Sequence, residues 1–175
     1  MNASLSPDHM YLRDDHLRLD RYLRQACIEG PAVDHDTYAH VRRGLLRHIA
    51  MEEKVLFPFL KARFGDRVAS QLERLRLEHS AIAGLLVPTP SPALLDVLHE
   101  LLRAHNAVEE GAEGVYALTA QLSTAEVADL LARLEQVPDV RVQPYADKPP
   151  VFQRIRQALL RMDRADLAQR LGLPE

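Results

Sequence analysis

Apolar residues recur at helical spacing through almost every segment of this 175-residue chain, and caps and prolines divide the pattern into elements. Ser6-Pro7-Asp8 reads as a cap followed by proline at the first helical position, and Gly30-Pro31 as a stop. A first helix is therefore predicted over about residues 7–29. Asp34 or Asp36 opens a second, which reaches Arg63 and ends at Gly65. Pro58 predicts a kink near Phe57 or an early end to its regular hydrogen bonding. Asp66 is expected to cap a third helix that continues to Val87. Ser91 and Pro92 close a proline-rich segment and start a fourth, which runs to about Leu122. Connections this short between long amphipathic helices favour antiparallel neighbours. They predict an all-α fold, an up-down-up-down antiparallel four-helix bundle over residues 1–122.

Beyond it, Ser123-Thr124-Ala125-Glu126 is a capping box that introduces a helix to about Gln136. Pro138 to Pro150 reads as an extended link carrying Tyr145. A last helix is predicted over roughly Val151 to Leu171, with Phe152, Ile155, Leu159, Leu160 and Met162 making one side strongly apolar. Residues 123–175 thus read as a C-terminal extension of two additional helices. Its apolar face must pack either on the bundle or on a second subunit, as a homodimer.

Charge and composition remove several function classes. The net charge is -3 and no basic run stands out, so no nucleic-acid partner is expected. No segment approaches ~20 apolar residues and the N-terminal region has no signal-peptide core, so no membrane partner is expected either. A single cysteine, Cys27, excludes an internal disulfide and favours a cytoplasmic protein. Lying among Leu23, Ala26 and Ile28, it is expected to be a packed, inert thiol.

The chemistry lies in two copies of His-x-x-x-Glu-Glu, one from His48 to Glu53 and one from His105 to Glu110. Each is preceded in another helical stretch by a lone histidine, His16 or His79. Residues four apart on a helix share a face, with Cβ atoms about 5–6 Å apart, so each copy aims a nitrogen and a carboxylate at one point. With 8 histidines and 25 acidic residues, about one such pair arises by chance, and this chain has three, counting His16 with Asp20. Placement strengthens the signal. Leu45, Ile49, Val55 and Leu56 flank the first copy and Leu98, Leu101, Leu102 and Val108 the second, so the donors fall on apolar faces. Unpartnered there, each would cost roughly several kcal/mol, whereas a shared cation would satisfy them together. Four imidazoles and two carboxylates without thiolates disfavour a structural zinc or iron–sulfur site, and the imidazoles disfavour calcium or magnesium. Iron fits best, with manganese or zinc as substitutes, and two carboxylates from different helices can bridge two ions.

Asp15-His16, His48 to Pro58, Glu78-His79 and His105 to Glu110, in that order, resemble the hemerythrin-like family of HHE cation-binding four-helix bundles over roughly residues 8 to 120. The resemblance implies a di-iron centre bridged by Glu52 and Glu109, with His16, His48, His79 and His105 as terminal metal ligands. One departure stands out. Oxygen-carrying hemerythrins place a fifth histidine one turn before the equivalent of His79, and here that residue is Leu75. Leu12, one turn before His16, has no donor atom. Glu113 and Tyr116 are the nearest replacements, with Tyr116 expected beside the site or in the core rather than on a metal. Asp20 is expected to orient a ligand by hydrogen bonding, and Glu53 and Glu110 to lie on the surface or just behind the ligands. His9, His35, His40 and His99 are expected to play no part, His99 pointing away from His105.

The resemblance implies a protein that binds or senses O2 or a related small molecule, nitric oxide or peroxide. The alternatives are a di-iron redox enzyme reducing peroxide or nitric oxide, iron handling (sensing, storage or repair of iron centres), and a plain interaction bundle with a vestigial site.

Overall fold

The computed structural model describes residues 7–27 and 32–173, so the predicted Ser6 cap and Gly30-Pro31 stop lie outside the described residues. Among those described, the regular structure is helical apart from one isolated bridge between Cys27 and Val33. No described helix is long and apolar enough to cross a membrane.

Helix α1 spans Pro7–Ala26 and α2 spans His35–Met51. Asp34 caps α2, its carboxylate accepting from the N–H groups of Asp36 and Thr37. From Glu52 to Leu56 the regular ladder widens into a π turn, and the Phe57 N–H bonds the Glu52 carbonyl. Pro58 accounts for the break, having no N–H to return to the preceding turn. Helix α3, Phe57–Phe64, follows directly. A 3-10 turn, Gly65–Val68, then leads into α4, Ala69–Leu85, without a side-chain cap. The predicted cap Asp66 instead accepts a bond from Lys61 Nζ at 2.7 Å, since the 3-10 turn carries the chain into the helix past it.

Helix α5 spans Pro92–Glu110, its first turn capped by Ser91 Oγ. It stops well short of Leu122. The backbone turns extended at Gly111 and folds back into a 3-10 turn over Tyr116–Gln121. The fold-back depends on Gly114, where an added Cβ would sit 2.1 Å from the Glu109 carbonyl. Helix α6, Thr124–Glu135, begins with the predicted capping box. The predicted last helix is two, α7 over Pro149–Arg161 and α8 over Ala165–Arg170, broken where Asp163 adopts a left-handed φ of 58°.

Two apolar clusters hold these elements, and the four long helices run from one to the other in alternating order. On α1, Leu12 joins the second cluster and Leu19 the first; on α2, Leu45 joins the first and Met51 the second. On α4, Leu75 joins the second and Ile82 the first; Leu101 of α5 joins the first, and Val115 just beyond it the second. His16, His48, His79 and His105 each fall between the two. The apolar face of the tail packs on this body: Leu130 and Leu134 of α6 join the second cluster, and Ile155, Leu159 and Leu167 the first. Burying one such leucine contributes roughly 1.5–3 kcal/mol. Cys27 is exposed rather than packed, because it lies past the last turn of α1 where the chain leaves the helix.

Candidate metal centre

Between the clusters six donor side chains converge. His16 comes from α1, His48 from α2, Glu52 from the π turn, His79 from α4, and His105 and Glu109 from α5. All are buried, the two glutamates completely. The donors form two groups that share both glutamates: His16, His48, Glu52 and Glu109 in one, Glu52, His79, His105 and Glu109 in the other. Within each group, one donor atom per residue lies within 4.8 Å of all the rest.

Helical spacing sets His48 Nε2 3.5 Å from Glu52 Oε2 and His105 Nε2 3.2 Å from Glu109 Oε2. Tertiary packing adds His79 Nε2, 3.1 Å from Glu52 Oε2, and His16 Nε2, 3.5 Å from Glu109 Oε2. Each glutamate thus faces one histidine of its own strand of the motif and one from elsewhere.

The outward nitrogen of every histidine is held by a second carboxylate, and the pairings close a ring. Asp15 of α1 meets His48 Nδ1 at 3.0 Å, and Glu53 of the π turn meets His79 Nδ1 at 3.0 Å. Glu78 of α4 meets His105 Nδ1 at 2.8 Å, and Glu110 of α5 meets His16 Nδ1 at 2.8 Å. A carboxylate on Nδ1 orients the ring and leaves Nε2 free to act as a donor to a metal. Each motif block therefore gives one or two groups to the centre and the adjoining acid to a histidine of another element.

The electrostatics pair opposite charges within the cluster. Burial opposes charge on His79 and His105, yet Glu52 and Glu53 raise the first to about 9 and Glu109 and Glu78 raise the second to about 10. Burial likewise opposes ionisation of Glu52, but His48 and His79 hold it well below the usual carboxylate range. Even so, Glu52 Oε2, Glu109 Oε1 and His79 Nε2 are buried without a hydrogen bond. Unsatisfied polar atoms gathered in a dry core are what a cation, taking the place of the imidazole proton, would satisfy. Imidazole and carboxylate donors without thiolate suit a first-row transition metal, so the residues present fit such ions.

The profile of the hemerythrin HHE cation-binding domain matches residues 5–137. The chain belongs to the hemerythrin HHE cation-binding family. Neither a curated protein nor a solved structure gives a significant match. The hemerythrin match runs past the four motif blocks and takes in α6.

Within this hemerythrin domain the departures have definite places. Leu75 is fully buried in the second apolar cluster, and Phe57 stacks flat on the His79 ring at 5.5 Å. Glu113 is exposed and stays outside the donor set. Tyr116 approaches it beside His16 and His48, not beside His79, whose preceding turn holds Leu75. Its hydroxyl donates to Glu52 Oε1 at 2.6 Å and lies 3.3 and 3.4 Å from Nε2 of His16 and His48. Burial, with Glu109 and Glu52 beside it, holds this phenol well above its ordinary pKa.

Asp20 orients none of the six donors. It accepts from His99 Nε2 at 3.0 Å and from Arg24, because one further turn of α1 carries it past the centre. His35 and His40 lie beside Tyr145 and Tyr22, while His9 is buried edge-on to the Tyr116 ring. The roles of Asp15 and Glu78 escaped the sequence reading. Their signal was an acid directly before each lone histidine, although their partners sit on other helices.

Proposed function

We propose that this hemerythrin-like protein holds two metal ions, iron by preference, and uses them to bind or sense O2 or a related small molecule such as nitric oxide or peroxide. In this reading Glu52 and Glu109 bridge the ions. His16 and His48 bind one, and His79 and His105 the other. The observation that carries it is the ring of four carboxylate–histidine pairs, which turns every Nε2 toward two shared, buried glutamates. The alternating passage of α1, α2, α4 and α5 between the clusters supports an up-down-up-down four-helix arrangement with α6 to α8 as an extension. A cavity of about 200 Å³ reaches His16, His48 and His105 from beside Leu19, Leu45 and Ile82, and supports access for a small molecule.

A bound di-iron pair supplies reversible electron exchange with O2 or its relatives. The chain's own residues hold the imidazoles in the required tautomer and exclude bulk water with the two clusters, and the protons that His79 and His105 would lose on loading pass to solvent. Elemental analysis of purified protein should give two irons per chain, falling in a His105→Ala variant. Full metal content in that variant would refute the site. A spectrum of the ferrous protein under argon, in air and again under vacuum then distinguishes reversible binding from turnover of added peroxide or nitric oxide.

A further inference from the structure

Resting on that two-ion reading, we propose that Tyr116 is itself a metal-binding residue, its phenolic oxygen completing the donor set of the His16–His48 ion as a phenolate. The hydroxyl touches four donors at once: Glu52 Oε1 at 2.6 Å, His16 Nε2 at 3.3 Å, and His48 Nε2 and Glu109 Oε2 at 3.4 Å. An ion about 2.1 Å from its nitrogen and oxygen donors sets neighbouring donors about 3.0 Å apart at right angles. The four observed separations bracket that value, as expected of an apex over four basal donors. A tyrosine serving only as hydrogen-bond donor to Glu52 has no need to approach both imidazole nitrogens.

The position is built rather than incidental. Gly114 permits the sharp return of the chain under α5, Thr119 Oγ1 donates to the Tyr116 carbonyl at 2.7 Å, and the ring stacks on His16 at 5.7 Å. Tyr116 belongs to the second apolar cluster, whereas the cavity reaches the same histidines past residues of the first. The phenol therefore closes one side of its ion and leaves the cavity side to a small molecule. Loading the site releases the phenolic proton to solvent. A hard anionic oxygen favours ferric over ferrous iron, which tilts the centre from reversible oxygen carriage toward redox chemistry with a small oxidant.

Wild-type and Tyr116→Phe proteins, loaded with iron and oxidised in air, provide the test. Both should hold two irons per chain. Wild type should show a phenolate-to-ferric charge-transfer band in the visible, with resonance-enhanced phenolate modes in its Raman spectrum, and the variant should lose both. The variant's ferric-to-ferrous potential should also shift upward. Two bound irons in wild type without phenolate modes, or a variant that keeps the band, overturns the assignment while leaving the metal site intact. Failure of wild type to bind iron overturns the two-ion reading and this one with it. Should Tyr116→Phe not fold, the wild-type Raman spectrum still decides. Of the chain's 5 tyrosines, Tyr116 alone reaches the six donors among the described residues.

Discussion

The two halves of the donor set have the same core, two histidines facing two shared glutamates, and opposite surroundings. At the His16–His48 half, a polar hydroxyl enters from below and a cavity arrives from above. At the His79–His105 half, Phe57 lies flat on one imidazole and Leu75 fills the turn before it. The cavity borders both halves, touching His16 and His48 on one and His105 on the other, but only the first half meets a hydroxyl. A duplicated motif has thus been differentiated by what packs behind it, a phenol at one half and an aromatic ring with a leucine at the other.

The sharpest way to break this comparison is to remove what the halves share. Glu52→Ala should abolish binding at both halves, taking metal content from two ions to none by elemental analysis; one retained ion would mean that the glutamate does not bridge. Removing a private donor should do less. His105→Ala should leave one ion, held at the His16–His48 half, and His16→Ala the converse. Loss of both ions in either variant would show that the halves do not bind independently.

Smaller effects sharpen the picture. Asp15→Asn and Glu78→Gln keep shape but weaken the hold on His48 and His105, and each should lower metal affinity by about 10–100-fold in competition with a chelator. Leu75→His should make the His79–His105 half resemble an oxygen carrier. It should cost the metal-depleted protein about 1–3 kcal/mol in denaturant melts and recover that loss when metal is added. The least effect should come from pH. His79 and His105 are raised from 6.5 to about 9 and about 10. Their stabilisation of chelator-treated protein is therefore complete below pH 6.5 and declines as pH rises through 9 to 10. Thermal melts should follow that decline, and metal-loaded protein, whose Nε2 atoms carry no proton, should not.

Much of this was legible in the chain. Helix starts at Asp34, Ser91 and Ser123 were visible because a cap is a local bond between a side chain and an N–H two or three residues on. The end of α5 was not, since its apolar spacing continues past Glu110 and only the close approach at Gly114 turns the chain back. The third C-terminal helix was missed for a similar reason: the left-handed Asp163 interrupts an unbroken amphipathic pattern. Four of the six donors could be named because i and i+4 residues share a helix face whatever the tertiary structure, and His16 and His79 only from the order of the motif blocks and the resemblance they carry. Asp20 was misassigned by the same rule, which specifies neighbours on one helix and says nothing of what faces them.

By itself, then, the sequence determined most helix starts and the pairing of His48 with Glu52 and of His105 with Glu109, because those depend on backbone geometry within one turn. Only the tertiary structure decided which acid holds which histidine, as Asp15 with His48 or Glu110 with His16, and that Tyr116 enters the half opposite Leu75. Such contacts join residues far apart in the chain, and their partners are chosen by how helices pack against two apolar clusters rather than by spacing.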